Sequence, residues 1–319
     1  MSVAQLFPLA WRVARHLPEP VLRAAANVGA DVAWMRRGDD VRQLERNLAR
    51  VRPDARPRAV RRLSRVGLRS YMRYYRETFA LGAYTPEQLA ARARIVGDEP
   101  LRAERAAGRA VVLALAHLGN WDLAGAFATV HLGPVTTVAE RLEPDELFQE
   151  FLAFRRALGM TIIPLDTSGS DVFRQLVRVV RGGAVLLPLL ADRDLTAHGI
   201  EVDLFGERAR VAAGPAALAV TTGAMLVPAT IHYERLRGAR RRAAGAPWGI
   251  VVNFEPAVTV PADLPRRAQV VAATQAWVDV VAAGIAEHPQ DWHMLQKVFI
   301  ADLDPARYAK TVAAGEGSG

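Results

Sequence analysis

The chain has 319 residues, of which 51% are hydrophobic and 23% are charged, and its 41 basic residues outnumber 33 acidic ones for a net charge of +8. This composition is typical of a globular protein with a large core, and it excludes a disordered chain, a collagen-like repeat and a polytopic membrane protein. The absence of cysteine excludes disulfides, thiolate metal sites and a cysteine-linked acyl intermediate.

Positive charge is concentrated in one segment. Between Arg36 and Arg76 the chain carries fourteen arginines and four acidic residues, a net charge of +10. Clustered basic charge attracts the phosphates of nucleic acids, anionic lipid headgroups or nucleotide-like ligands. A preference of the chain for arginine over lysine accounts for the residue type, although it does not explain the clustering.

Residues 1–90 show helical spacing of apolar side chains. One predicted helix carries its apolar stripe from Val3 to Leu17, a second includes Trp34, and a third is expected from about Arg58 to Leu81. Amphipathic helices with arginine and aromatic residues suit the membrane interface, where guanidinium groups meet phosphates. Packing against the core is the alternative, and the two can hold for different faces. We therefore predict a layer of N-terminal amphipathic helices that packs on the core and docks on the membrane.

From Gly97 onward, apolar runs alternate with helical patterns, which indicates a sheet covered by helices on both faces. The predicted strands cover residues 110–116, 135–139, 161–165, 184–190, 225–231 and 250–254. We expect an α/β fold with a central, mostly parallel sheet flanked by helices. Residues 91–305 are assigned to this core, residues 236–246 to a surface loop, and residues 306–319 to a disordered tail.

The longest uncharged run, from Val211 to Tyr233, is long enough to span a bilayer. It contains Gly214, Pro215 and Gly223, and its second half has the pattern of a strand. We predict that this run forms a buried helix followed by a buried strand.

Reactive groups in open α/β sheets gather at the carboxyl ends of the strands. After the first strong strand comes the segment from His117 to Asp122, in which a turn at Gly119 can bring the two side chains together. An aspartate beside an imidazole fixes its tautomer and stabilises the imidazolium, so His117 is a candidate general base. On spacing alone, a structural histidine is the more frequent explanation. No G-x-S-x-G elbow and no cysteine accompany the pair, so the base would act on a bound hydroxyl.

The segment His-Leu-Gly-Asn-Trp-Asp at 117–122 resembles the His-x4-Asp/Glu motif of the lysophospholipid acyltransferase superfamily. It is most similar to the branch with the lipid A late acyltransferases and the mycobacterial phosphatidylinositol mannoside acyltransferases. Further matches between about Asn47 and Leu303 are Thr137–Leu142, Phe154–Arg156, Ala191–Leu195, Phe205–Gly206, Ala213–Pro215 and Asp291–Gln296. The strings AERL and DWHMLQ point to the mannoside enzymes. In that branch the acidic residue before Arg-Asp-Leu is glutamate, whereas this chain has Asp192 at that position.

The resemblance implies an acyl-CoA-dependent O-acyltransferase without a cofactor or a metal, in which acyl-CoA is a cosubstrate. His117 would deprotonate a mannose hydroxyl that attacks the thioester directly, without an acyl-enzyme, and Asp122 would orient His117. The residues implied to bind substrate are Glu140, Arg155, Asp192, Arg193 and His293. Of these, the carboxylates would hold sugar hydroxyls, the arginines would hold a phosphate or the developing oxyanion, and His293 would close the same pocket. A surface or packing contact is the alternative for each of them.

The partners implied by the resemblance are acyl-CoA, a phosphatidylinositol mannoside glycolipid and an anionic membrane surface, with no nucleic acid. The implied location is peripheral, on the cytoplasmic face of the cell membrane. Three alternatives stay open: an acyltransferase of the same superfamily with another lipid acceptor, an acyl-CoA thioesterase in which His117 activates water, and a non-catalytic binder of anionic surfaces. Formation of an acylated lipid separates the transferases from the other two.

Overall fold

The computed structural model describes residues 19–141, 145–165, 170–194, 196 and 198–316, so the predicted helix at 3–17 lies outside the described residues. Three helices come first: α1 (Glu19–Arg36), α2 (Asp39–Val51) and α3 (Pro57–Ala80). Proline at the first position of α3 and two acidic residues in the first turn of α2 favour these starting points. The three helices share a small apolar cluster that includes Ala30, Leu44 and Leu68.

Nine strands follow among the described residues, and their bounds are β1 (Ala93–Val96), β2 (Val111–Leu115), β3 (Val135–Glu140), β4 (Met160–Leu165), β5 (Leu186–Leu190), β6 (Ile200–Leu204), β7 (Glu207–Val211), β8 (Met225–Arg235) and β9 (Trp248–Phe254). Seven of them form one sheet in the order β1-β9-β8-β2-β5-β3-β4. Its neighbouring strands are parallel except for β8 and β9. Strands β6 and β7 form a separate antiparallel hairpin. The predicted α/β fold with a mostly parallel central sheet is confirmed.

The remaining helices are α4 (Pro86–Arg92), α5 (Glu99–Ala106), α6 (Trp121–His131), α7 (Asp145–Ala157), α8 (Ser170–Arg181), α9 (Gly214–Thr222), α10 (Gly238–Ala244), α11 (Arg266–Glu287) and α12 (Pro305–Glu316). They cover both faces of the sheet. Along β2, Val111 and Leu113 pack into a cluster with α6 and α7, whereas Val112 and Ala114 pack into a cluster with α8, α9 and α11. The alternation of strand side chains therefore builds two cores, one on each face.

The long uncharged run divides as the sequence predicts. Helix α9 ends at Gly223, which has a φ of +73°, and the buried strand β8 begins two residues later. Among the described residues, α11 is the helix that is long and apolar enough to cross a membrane. Its Trp277, Val281 and Ile285 belong to the core.

Two segments differ from the predictions. Helix α12 occupies residues 305–316, where a disordered tail was expected from 306, and α10 occupies residues 238–244 within the predicted surface loop. Contacts to distant parts of the chain order both helices. Tyr308 donates a hydrogen bond to Glu201. In α10, Arg240 donates to the Ala91 carbonyl at 2.8 Å and pairs with Glu234 at 2.5 Å. Neither helix has the apolar spacing by which a sequence signals a helix.

Candidate active site

The candidate active site begins where β2 ends. In the turn after His117, Gly119 has a φ of +66°, and an added Cβ would lie 2.5 Å from the Ile231 carbonyl oxygen, so the position requires glycine. The Gly119 amide donates to the Asp291 carbonyl at 2.8 Å. The His293 amide donates to the His117 carbonyl, also at 2.8 Å. A segment close to the C-terminus therefore fixes the conformation of the turn.

Asp192, which follows β5, is the hydrogen-bond partner of His117. Its Oδ1 accepts from Nδ1 of His117 at 2.6 Å, and its Oδ2 accepts from the His117 backbone amide at 3.0 Å. The indole N–H of Trp292 donates to the same Oδ2 at 2.9 Å. Asp192 is 4% exposed, and three donors hold its carboxylate in one orientation. The two residues meet because β2 and β5 are neighbouring parallel strands.

This contact makes His117 suitable as a general base. Burial disfavours the imidazolium, but the charge of Asp192 and its hydrogen bond to Nδ1 together outweigh burial and raise the pKa of His117. The same contacts lower the pKa of Asp192 although burial acts to raise it. Because Nδ1 donates to Asp192, Nε2 keeps a lone pair that can accept a proton. The His117 side chain is 37% exposed, which leaves it open to a substrate.

Asp122 has other partners than the predicted one. Its side chain is 2% exposed and accepts a hydrogen bond from the Tyr74 hydroxyl at 2.7 Å and from Nε of Arg155 at 2.8 Å. It lies in the first turn of α6, where the rotation of the helix directs it toward α3 and α7. The prediction that Asp122 orients His117 is therefore corrected, since Asp192 holds the imidazole.

Arg155 forms a bidentate pair with Asp122, with the second contact at 3.3 Å, and its side chain is 17% exposed. Burial acts to lower the pKa of Arg155, but the charge of Asp122 and the further contacts with Asp122 and Tyr74 together outweigh burial and raise this pKa. The pair joins α3, α6 and α7 through Tyr74. Asp122 engages two of the five N–H groups of this guanidinium, so the contact of Arg155 with a phosphate or an oxyanion stays a prediction.

The charges of Glu140 and Arg193 shift the pKa of His117 in opposite directions. Glu140 ends β3 and is exposed, and its charge contributes to raising the pKa of His117. The charge of Arg193 acts in the opposite direction, and its Nε donates to the Lys297 carbonyl at 3.2 Å. Glu140 at the end of β3 and Arg193 after β5 lie at the same edge of the sheet as the end of β2. Their predicted contacts with substrate are compatible with this placement and stay predictions.

His293 is a neutral, buried neighbour of the pair. Its Nε2 lies 3.1 Å from the Ser70 hydroxyl, and its ring centroid lies 6.0 Å from that of Trp121. Burial and the charges of Arg73 and His117 lower the pKa of His293 to about 3. Its Nδ1 is buried and has no hydrogen-bond partner among the described residues. This environment suits the wall of a pocket, which is the role predicted for His293, better than that of a second base.

An apolar cavity of about 80 Å³ lies between α6 and one face of the sheet. The apolar residues that line it include Leu113, Leu115, Ala128, Leu190, Ile231 and Phe254. Trp121 lines the cavity and also contacts the pair, since its ring centroid is 5.3 Å from that of His117. At Gly125, an added Cβ would lie 2.8 Å from the Met160 sulfur. The apolar part of this lining suits an alkyl chain whose polar end lies near His117.

Sequence reasoning missed Trp292 and assigned Asp192 to the substrate instead of to His117. A signal for Asp192 was present, because it directly follows a predicted strand, but the order of strands in the sheet was unknown. Ser70 and Tyr74 carried no signal of their own within an apparently amphipathic helix. Within the described ranges, no group of three His, Asp or Glu side chains has the arrangement of a metal site.

Comparison with known proteins gives consistent matches over nearly the whole chain. The model of the family described as bacterial lipid A biosynthesis acyltransferase matches residues 3–300. The phosphatidylinositol mannoside acyltransferase of Mycolicibacterium smegmatis is 39% identical over 300 residues, which cover 94% of this chain and 92% of that protein. The protein of the same name from Mycobacterium tuberculosis H37Rv is 41% identical over 305 residues, which cover 94% and 89% of the two chains.

Proposed function

Because this chain belongs to the bacterial lipid A biosynthesis acyltransferase family, we propose that it transfers a long-chain acyl group from acyl-CoA to a mannose hydroxyl of a phosphatidylinositol mannoside. The names of the relatives support the acceptor. The observation that carries the proposal is the pairing of His117 with Asp192 beside the apolar cavity. A base and a site for an alkyl chain are the two features that such a transfer requires.

The proposed reaction needs no covalent intermediate on the protein. Nε2 of His117 removes the proton of the mannose hydroxyl as its oxygen attacks the thioester carbon. The C–S bond then breaks, and the CoA thiolate takes the proton from the imidazolium. Asp192 holds Nδ1 and stabilises the positive charge that His117 acquires. Direct transfer of this kind requires both substrates to be bound together, with the hydroxyl and the thioester close to His117.

The cavity supports an acyl donor with a long chain. Its lining is mostly apolar, and Trp121 in that lining has its ring centroid 5.3 Å from that of His117. Replacement of Gly125 by valine would fill part of the cavity against Met160. If the acyl chain occupies this space, Gly125→Val lowers kcat/KM for a long-chain acyl-CoA more than for a short-chain acyl-CoA. Equal losses for both donors would place the acyl chain elsewhere.

The decisive experiment incubates the purified protein with radiolabelled palmitoyl-CoA and a panel of phosphoinositol glycolipids. We expect a labelled mannoside from the wild type and none from His117→Ala at equal melting temperature. Release of labelled fatty acid without any acceptor would favour a thioesterase. Transfer only to other lipids would show that the acceptor is not a mannoside. Label retained on the denatured protein would show that the reaction passes through a covalent acyl-enzyme.

We also propose that the protein acts as a peripheral protein at the cytoplasmic face of the cell membrane. Val21, Val28 and Met35 of α1 are 50%, 62% and 63% exposed, and their seven-residue spacing places them on one face of the helix. Cosedimentation with vesicles tests the attachment. Binding is expected to be stronger to anionic than to neutral vesicles and to weaken as salt rises. Equal binding to both kinds of vesicle would contradict the electrostatic part of this proposal.

A further inference from the structure

A second groove, lined by arginines, borders α3. It has a volume of about 630 Å³ and lies between α1, α3, α10 and the adjoining ends of β8 and β9. The arginines in its lining are Arg23, Arg69, Arg73, Arg76, Arg235 and Arg241, and its described lining contains no acidic residue. None of these residues takes part in the proposed proton transfer at His117, so that reaction does not account for the concentration of arginines in the groove.

Helix α3 forms a wall shared by this arginine groove and the active site. On one face, the Ser70 hydroxyl donates to Asp291 at 2.6 Å and the Tyr74 hydroxyl donates to Asp122 at 2.7 Å, which anchors the segments around His117. The arginines of α3 that line the groove precede or follow these residues by one or two positions. Because each residue rotates the helix by about 100°, the groove lies on an adjacent face of the same helix.

Three of the six arginines in the groove have acidic partners. Arg69 pairs with Asp31, and Arg23 and Arg76 pair with Glu19. The other three, Arg73, Arg235 and Arg241, form no ion pair with a carboxylate within the part of the chain that the structure describes. The groove therefore retains positive charge that the described part of the protein does not neutralise.

Two of the unpaired arginines, Arg73 and Arg235, stack on the ring of Trp248. The guanidinium carbon of Arg73 lies 3.9 Å from a ring centroid of this indole, and that of Arg235 lies 4.8 Å from it. Stacking on the ring fixes the direction of both groups. Neither guanidinium has a carboxylate at ion-pair distance within the described residues, so an anion bound in the groove would be stabilised by their charge. Guanidinium groups in this arrangement suit the oxygens of a phosphate.

We propose that the arginine groove binds the phosphodiester of the acceptor glycolipid, an inference that rests on the function proposed above. In a phosphatidylinositol mannoside the phosphodiester is attached to the inositol that carries the mannose. When the mannose hydroxyl lies at His117, the phosphodiester must therefore lie near the active site but outside it. A groove on the next face of α3 satisfies this requirement.

Acyl-CoA also carries phosphates, but the exposed apolar side chains beside the groove favour the glycolipid as its ligand. Val66, which is 50% exposed, lines the groove, and α1 contributes to it while carrying the exposed residues Val21 and Val28 on the same helix. A phosphate site bordered by exposed apolar side chains matches a headgroup at a membrane surface. The apolar cavity for the acyl chain lies instead beneath α6.

A double variant, Arg235→Gln with Arg241→Gln, tests the proposal. Both arginines are exposed and have no carboxylate partner among the described residues, so the fold should be kept. The matched control is Arg58→Gln with Arg62→Gln, which removes the same charge from exposed positions of α3 outside the groove. We expect the groove variant to raise the KM for the glycolipid about tenfold or more, with kcat and the KM for acyl-CoA unchanged. The control should change neither KM.

Three results would overturn the proposal: a raised KM for acyl-CoA in place of the glycolipid, equal effects of both double variants, or no effect of the groove variant. The first would assign the groove to the phosphates of CoA. The second would indicate that the positive charge of the protein surface attracts the anionic lipid without a specific site. If the wild type acylates no mannoside, the proposed function fails first. Binding to phosphatidylcholine vesicles with and without phosphatidylinositol then tests the groove alone, and a preference for phosphatidylinositol that both double variants retain would exclude it.

Discussion

The two buried aspartates near His117, Asp192 and Asp122, differ in whether the side chain that each one holds remains accessible to a substrate. Asp192 holds an imidazole whose second nitrogen remains open to a substrate. Asp122 holds a guanidinium that is itself buried, and a tyrosine hydroxyl occupies one of its oxygens. The aspartate five positions along the chain pairs with an arginine of a neighbouring helix, whereas the one 75 positions away is the hydrogen-bond partner of His117. Adjacency of strands in the sheet, and not proximity in sequence, determines which carboxylate supports the histidine.

The largest expected effect follows from removing the charge of Asp192. In Asp192→Asn the two N–H donors at Oδ2 favour the amide oxygen there, which turns the amide NH2 toward Nδ1 of His117. Nε2 would then carry the proton and could not act as a base. We expect kcat to fall about 10²- to 10⁴-fold, measured by transfer of labelled acyl groups.

The melting temperature of Asp192→Asn distinguishes this effect from unfolding. A folded variant with activity near that of the wild type would show that the contact between His117 and Asp192 is only structural. Loss of activity in proportion to loss of folded protein would lead to the same conclusion.

Asp122→Asn should have its main effect on stability. The substitution leaves the buried guanidinium of Arg155 without a countercharge, and breaking a buried pair in this way costs about 3–5 kcal/mol of unfolding free energy. Activity per folded molecule should fall far less than in Asp192→Asn. Denaturant unfolding monitored beside turnover measures both quantities.

A double-mutant cycle with Arg155→Met sharpens this expectation. Removal of both partners should cost less than the sum of the single changes, because no uncompensated charge remains. If Asp122→Asn abolished turnover in a fully stable protein, the distinction between the two aspartates would be lost.

The sequence allowed the class of the fold and the placement of His117 at the carboxyl end of a strand to be predicted, because apolar runs and a histidine after a strand are local patterns. It did not reveal the partner of His117, since the neighbourhood of β2 and β5 is a property of the assembled sheet. Helices α10 and α12 and the hairpin of β6 and β7 were missed for a related reason. Contacts such as that between Arg240 and the Ala91 carbonyl order them, and such contacts have no signature in a window of sequence.

A smaller effect concerns His293, whose pKa is shifted in the opposite direction to that of His117 although their backbones are hydrogen-bonded to each other. Its pKa of about 3 in the folded state lies below the ordinary value of about 6.5 in the unfolded chain. The unfolded state therefore binds more protons between these values, and stability is lost as pH falls through this range. At pH 5 the loss from this residue is about 2 kcal/mol.

Unfolding free energies at pH 7 and pH 5 measure this contribution. In His293→Asn the difference between the two should shrink by about 2 kcal/mol, whereas His198→Asn, at an exposed position, should leave it unchanged. An unchanged difference in His293→Asn would mean that His293 is not held neutral by its surroundings.

The smallest expected effect tests whether Glu140 and Arg193 lie close enough to His117 to act on it. The base must be neutral, so kcat/KM should fall as pH drops below the raised pKa of His117, and this acidic limb should lie above about pH 6.5. Glu140→Gln removes a negative charge and should move the limb to lower pH. Arg193→Gln removes a positive charge and should move it to higher pH. Each shift should be on the order of half a pH unit and should shrink as salt is added. Shifts of the same sign in both variants would show that these side chains act on the substrate or the fold and not through the charge on His117.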